Sequence, residues 1–298
     1  MSTSLNYRFT DFPPHTTHQG TGLIKYSPIL AQPWTVAQDV SKPLGFQTKE
    51  CAVNVLSLTI DAPHGPNWFG VAFRVGTTSF SSVNIFCHPH PGHAGMQDKD
   101  YATRTGDWPA LFRYSQNLGF QLSAGDVNQV LVIPFFNNAS YFTGGVFVHR
   151  WKEILSVIVN GASIVATLGD PRVAPKVELG VLEAALLSGK PLSVSVDNVI
   201  FSCFSFGRNL MQTLRFNMAG VGSLLREIWD FDGAGAALPQ GNKIRTILYD
   251  QAVSKSPWSF HVPNPRWSGF PGPKVTDAHG FIPNTLLWHA TTVSGVGH

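Results

Sequence analysis

Residues 199–210, VIFSCFSFGRNL, constrain this chain more than any other stretch. Val199, Ile200 and Phe201 are strand formers, and a helical pattern begins at once after Gly207. Between them stands small–x–Ser–x–Gly, here Cys203-Phe204-Ser205-Phe206-Gly207. A strand that turns so abruptly into a helix leaves little room, so the positions two before and two after the serine must be small. The turn puts the serine in strained backbone, lifts its hydroxyl clear of the sheet and aims a helix N-terminus at it. Cysteine stands where glycine is usual, a modest departure because cysteine is small and buries well. The plain alternative is the end of a core strand. The strand before and the helix after favour a serine nucleophile.

A chain of 298 residues has the length for a sizeable core, and 43% hydrophobic against 13% charged residues describes a globular protein. A net charge of +3 with scattered basic residues argues against nucleic acid as a partner. No apolar run is long enough for a membrane span, and the first residues lack the basic and apolar regions of a signal peptide. A cytoplasmic location is the expectation. Cys51, Cys87 and Cys203 are odd in number and sit in apolar contexts, which reads as reduced, buried thiols and not as a disulfide framework.

Residues 1–48 show no sustained period and are expected to form an irregular arm, with at most a short strand. Residues 49–298 read as one domain. Strands are predicted over 51–60, around 70–76, over 82–87 and over 128–136, with His64–Asn67 as the first turn. Helices are predicted within 107–122, over 144–160 and from 175 to 187. In the second of these, Val148, Trp151, Ile154, Leu155 and Ile158 share one face. After the serine turn come a helix from 208 to about 218 and strands over 226–231 and 243–249. A Pro/Gly/Trp-rich loop (256–275) and a helix starting near Pro283 complete the chain. Strands alternating with helices imply an α/β fold, a mostly parallel sheet covered on both faces.

A serine hydroxyl needs a base, and the base needs an acid to orient it. Of the downstream histidines, His279 precedes a helix in a loop, TDAHGFIPN, from which an imidazole reaches a neighbouring loop. His261 is the weaker alternative, and His289 falls inside the helix, where packing is the simpler role. Two aspartates compete as the acid. Asp232 ends one strand in Asp-Gly, and Asp250 ends the next; Asp232 is slightly preferred. Asp230 is expected to face away from Asp232. After the third strand stands His88-Pro89-His90-Pro91-Gly92-His93. A zinc site is one reading. A stiff loop that presents backbone N–H groups to a developing oxyanion is the better one, because prolines flank His90 and no acidic or cysteine ligand is near. His90 is then the first donor, Gly92 the second, and the Phe206 N–H their partner.

Together HPHPGHAG, CFSFG and the late His279 resemble the α/β-hydrolase superfamily, over roughly residues 50–298, and the first motif is similar to the post-strand loop of dienelactone-hydrolase-like esterases. The resemblance implies a serine hydrolase of carboxylic esters that works without metal or organic cofactor. It also admits an acyltransferase using the same triad, and a catalytically inactive binding protein on the same fold. Aromatic residues gather near the expected mouth: Phe206, Tyr141 and Phe142, with Trp229 and Phe231 close by. Tyr141 and Phe142 are expected to form a pocket for an apolar acyl or aryl group of a small-molecule ester. A homo-oligomer stays open.

Overall fold

The computed structural model describes residues 6–10, 18–26, 47–61, 68–77, 79–88, 108–125, 127–136, 143–167, 196–233, 244–250, 259–261, 287–292 and 294–296. Ten strands form one sheet: β1 (Asn6–Thr10), β2 (His18–Tyr26), β3 (Gln47–Asp61), β4 (Trp68–Arg74), β5 (Ser82–Cys87), β6 (Gln129–Phe135), β7 (Val199–Phe204), β8 (Leu225–Phe231), β9 (Arg245–Asp250) and β10 (Ser259–His261). Their order is β1-β3-β4-β6-β5-β7-β8-β9-β10, with β2 also paired to β3. From β6 through β10 every pairing is parallel. β4 runs antiparallel to both β3 and β6.

Among the described residues, three helices connect the central strands: α1 (Trp108–Ala124) between β5 and β6, α2 (Gly145–Thr167) between β6 and β7, and α3 (Gly207–Asn217) between β7 and β8. Residues 287–292 are also helical. Side chains alternate along a strand, so each strand feeds both faces. One face carries Leu56, Val71, Val132, Ile85, Phe201 and Ile228, and α2 and α3 cover it through residues such as Trp151, Ile154, Leu210 and Leu214. The other carries Val55, Ala72, Leu131, Phe86, Ile200 and Trp229, and α1 covers it through Leu118 and Leu122. Leu287 and Ala290 of the last helical segment join that second cluster. Each such side chain contributes roughly 1.5–3 kcal/mol by leaving water. β5 and β6 are buried along their whole length, which explains why SVNIFC and QVLVIPF are mostly apolar on both faces and do not alternate. Within that interior the Ser202 hydroxyl donates to Asn84 Oδ1 at 2.7 Å across β7 and β5. This mixed, mostly parallel sheet with helices on both faces is α/β-hydrolase architecture.

The five periodic residues of α2 are all buried. Two stretches differ from the expected course. Residues 1–48, read as an irregular arm, contain β1 and β2, both antiparallel to β3. β3 is 15 residues long. It offers pairing positions that no local period in the arm announces. The loop expected over 256–275 carries β10, three residues that pair with β9 in the register Ser259–Leu248 to His261–Asp250. The helix expected over 175–187 and the turn at His64–Asn67 lie outside the described residues.

Candidate active site

Strand order places the site before any side chain is considered. From β5 the chain moves through α1 to β6 on one side; from β7 it moves through α3 to β8 on the other. β5 and β7 are neighbours, and α1 and α3 lie on opposite faces. The helices that follow them thus cover opposite faces, and in open α/β sheets such a switch point is where a crevice opens beyond the carboxyl ends of the strands. The residues entering that crevice are His88, just after β5, and Ser205, just after β7.

Ser205 stands between β7 and α3 with φ 52°, in the left-handed region that a non-glycine residue adopts at a cost of about 1–3 kcal/mol. Its N–H donates to the Phe231 carbonyl at 3.3 Å, and its own carbonyl accepts from the Arg208 N–H at 3.1 Å. The strained residue is thus held by β8 on one side and by the first turn of α3 on the other. Gly207 explains the tightness of the turn. A Cβ built on it would stand 1.9 Å from the Cys87 carbonyl oxygen, so only glycine lets α3 start against the end of β5. No side chain caps the start of α3. Phe206 occupies its N-cap position, and its ring is exposed beside the serine.

At the other small position, Cys203 is fully buried, and its Cα pairs with Cys87 on β5 and with Asp230 on β8. Its thiol donates to Asp230 Oδ1 at 3.6 Å. Burial first, then the Asp230 charge, pushes the Cys203 thiol well above its ordinary range; burial alone does the same to Cys87. Both are inert thiols, and neither competes with the serine.

Asp232 is the second non-glycine residue with positive φ among the described residues, at 57°. It follows the last residue of β8 and its N–H donates to the Tyr249 carbonyl at 2.7 Å, while the carbonyl just before it receives the Ser205 N–H. The backbones of Ser205 and Asp232 are therefore laced into adjoining turns. Asp230 corrects the sequence reading. Residues two apart on a strand share a face, and Asp232 lies past the strand, so alternation does not separate the pair as expected. Asp230 is 2% exposed, on the face of Cys203, and its Oδ1 accepts from the Gly233 N–H at 2.6 Å. Nothing in the sequence beyond Asp-x-Asp-Gly signals this carboxylate.

Asp250 ends β9 with its backbone opposite His261 of β10. His279, His90, Gly92, Tyr141 and Phe142 lie outside the described residues. His88 is half-buried, with its ring edge-on to Tyr114 of α1 at 4.5 Å between centroids. Trp229 and Phe231, placed near the mouth by the sequence reading, are instead fully buried: Phe231 stacks on Phe86 and on Tyr249. They stand on the pleat face that α1 and residues 287–292 cover.

His289 is packed inside the helical segment 287–292. It is fully buried, its Nδ1 is hydrogen-bonded to the Tyr249 hydroxyl at 2.7 Å, and burial lowers its pKa from 6.5 to about 4. The Tyr249 hydroxyl is pushed well above its usual range by burial and by the Glu227 charge. Gln121 Oε1 of α1 accepts from the Leu287 N–H at 2.9 Å, which seats the segment on the sheet.

No protein-family model matches the chain, and no curated protein matches it. Among solved structures it is similar to the rice cell wall degrading esterase LipA from Xanthomonas oryzae. The ligand-bound form is 17% identical with a TM-score of 0.24, and another form is 14% identical with a TM-score of 0.24. Both matches cover 72% of this chain and 49% of that one, so the chain spans about half the length of these proteins. It is the strand order, and not this distant likeness, that defines the architecture.

Proposed function

We propose that the chain is a serine hydrolase of carboxylic esters that works through an acyl-enzyme. Ser205 is the nucleophile and His279 its general base, with Asp232 (or, second, Asp250) orienting the imidazole. The backbone N–H groups of His90, Gly92 and Phe206 receive the oxyanion. One observation carries the reading: Ser205 holds a left-handed φ of 52° between a central parallel strand and a helix, at the crevice where the sheet's connections diverge. Strain of this kind persists only where the surroundings over-determine it, as the Gly207–Cys87 contact and the Phe231 carbonyl do here.

In this mechanism His279 takes the hydroxyl proton as Ser205 Oγ attacks the ester carbonyl, and returns it to the leaving alcohol. Water then repeats the sequence on the acyl-enzyme and releases the acid. An exposed aromatic at Phe206, with Tyr141 and Phe142 a few positions after β6 in the sequence, suits an apolar acyl or aryl group. Hydrolysis of a short p-nitrophenyl ester, with fluorophosphonate labelling mapped by mass to Ser205, tests the reading. A protein that hydrolyses the ester while its label maps elsewhere overturns it.

A further inference from the structure

Ser205 and Asp232 sit on separate turns at the ends of neighbouring strands, and one buried carboxylate touches the end of β7 before the first turn and Gly233 of the second. Asp230 Oδ1 accepts from Cys203 Sγ, two residues before the serine, at 3.6 Å. The same oxygen accepts from the Gly233 N–H, one residue after Asp232, at 2.6 Å. The fit on the Gly233 side is close: a Cβ there would stand 2.4 Å from Asp230 Oδ1 and 3.1 Å from its Cγ. Between them these contacts bracket the two non-glycine residues with positive φ among the described residues.

We infer that Asp230 is a positioning residue for the Ser205 turn, and that Cys203 replaces glycine because its thiol supplies the donor that Asp230 grips. Glycine at 203 would remove the thiol that donates to the carboxylate from β7. Cysteine is small enough for the packed position between Cys87 and Asp230 and adds a hydrogen-bond donor. Burial keeps the thiol protonated, so it remains a donor through the neutral range. A shift of the Asp230 carboxylate is transmitted through two residues of β7 to Ser205 and through the Asp232–Gly233 turn to Asp232. Displacing a reacting group by about 1 Å costs up to roughly 100-fold in rate. The inference rests on Ser205 being the nucleophile.

The experiment is active-site titration with a fluorophosphonate followed by p-nitrophenyl ester kinetics on the full chain, with kcat expressed per titrated site. Asp230→Ala is expected to lower kcat per site about 100-fold, with KM changed less than about threefold. Cys203→Ala is expected to lose about tenfold, and Cys203→Ser, which keeps a donor, to recover to within about threefold of the parent. A carboxylate with only a structural part would reduce the number of titratable sites and the thermal midpoint, and would leave kcat per site alone. Unchanged kcat per site in Asp230→Ala and Cys203→Ala therefore overturns the positioning role while the Ser205 reading stands. If Asp230→Ala does not fold, the alanine and serine variants of Cys203 decide, and equal loss in both overturns the inference. Absence of any label on parental Ser205 overturns the nucleophile reading and this inference with it.

Discussion

Two buried polar clusters lie on opposite faces of the same sheet, and they treat the backbone differently. On the face covered by α2 and α3, Asp230 joins Cys203 to Gly233, and the flanking residues Ser205 and Asp232 are both left-handed. On the face covered by α1 and residues 287–292, Glu227 accepts from Trp229 Nε1 at 2.8 Å and from the Gly295 N–H at 2.7 Å, with Arg245 at 3.8 Å, while Tyr249 meets His289. No described non-glycine residue of that second cluster has positive φ. Among the described residues, left-handed non-glycine backbone falls at the carboxyl edge alone, and the second cluster ties residues 287–292 and 294–296 to the sheet. On the proposed reading a buried polar group serves chemistry in one place and closure in the other, and the backbone angle tells the two places apart more clearly than burial does.

The sharpest way to break this contrast is Ser205→Ala. It is expected to remove ester hydrolysis by roughly 10⁴-fold or more, leaving what binding and oxyanion contacts supply, with an unchanged thermal midpoint. Activity within tenfold of the parent would place the nucleophile elsewhere and make the strain at Ser205 a purely structural device. Gly207→Ala comes next. The added methyl meets the Cys87 carbonyl at 1.9 Å, so α3 must back away from β5. A destabilisation of about 1–3 kcal/mol by urea unfolding is expected from such overpacking, with turnover reduced about 100-fold as the serine shifts. Full turnover in a destabilised protein would show that the turn does not depend on this contact.

The same contrast explains what was legible in the sequence. The central strands were legible because strands buried on both faces are mostly apolar on both, and α2 because its five buried residues keep helical spacing. The Ser205 turn was legible because its steric demand falls on single positions, and Gly207 meets it without alternatives. β1 and β2 were not, since their pairing is decided by the length of β3, and β10 is too short to carry a pattern. Asp230 was passed over for a different reason. Its part depends on which atoms of β7 and of the Gly233 turn come within reach, and that is settled by the parallel register between Cys203 and Asp230. Trp229 and Phe231 were misplaced because an aromatic near a strand end reads the same whether the pleat turns it to the mouth or to the core.

The second cluster is sharpened through His289, whose effects belong to stability. The native imidazole has a pKa of about 4, against 6.5 for the free side chain. Above pH 6.5 both states are neutral and the folded state keeps its full advantage. As pH falls below 6.5 the unfolded chain takes up a proton that the folded one refuses, so stability falls until about pH 4, where both are charged. Between pH 7 and pH 5 this one group accounts for about 2 kcal/mol of lost stability. His289→Gln keeps a hydrogen-bonding group toward Tyr249 and should flatten that dependence in urea unfolding at the two pH values. An unaltered slope would mean that the imidazole is already accessible to protons in the fold.

The smallest expected effect is the most discriminating one. If His279 is the base, ester turnover rises through a single ionisation near the ordinary imidazole value of about 6.5, and His289→Gln leaves that midpoint where it is. A carboxylate from Asp232 or Asp250 facing the ring would move the midpoint upward by favouring the charged imidazole. Were His289 the base instead, its burial would carry the rise down toward pH 4, and the glutamine variant would be inactive. Measuring kcat from pH 4.5 to 8 in the parent and in His289→Gln separates the two. A shared midpoint in the imidazole range assigns proton transfer to His279. It leaves His289 to hold the helical segment against Tyr249.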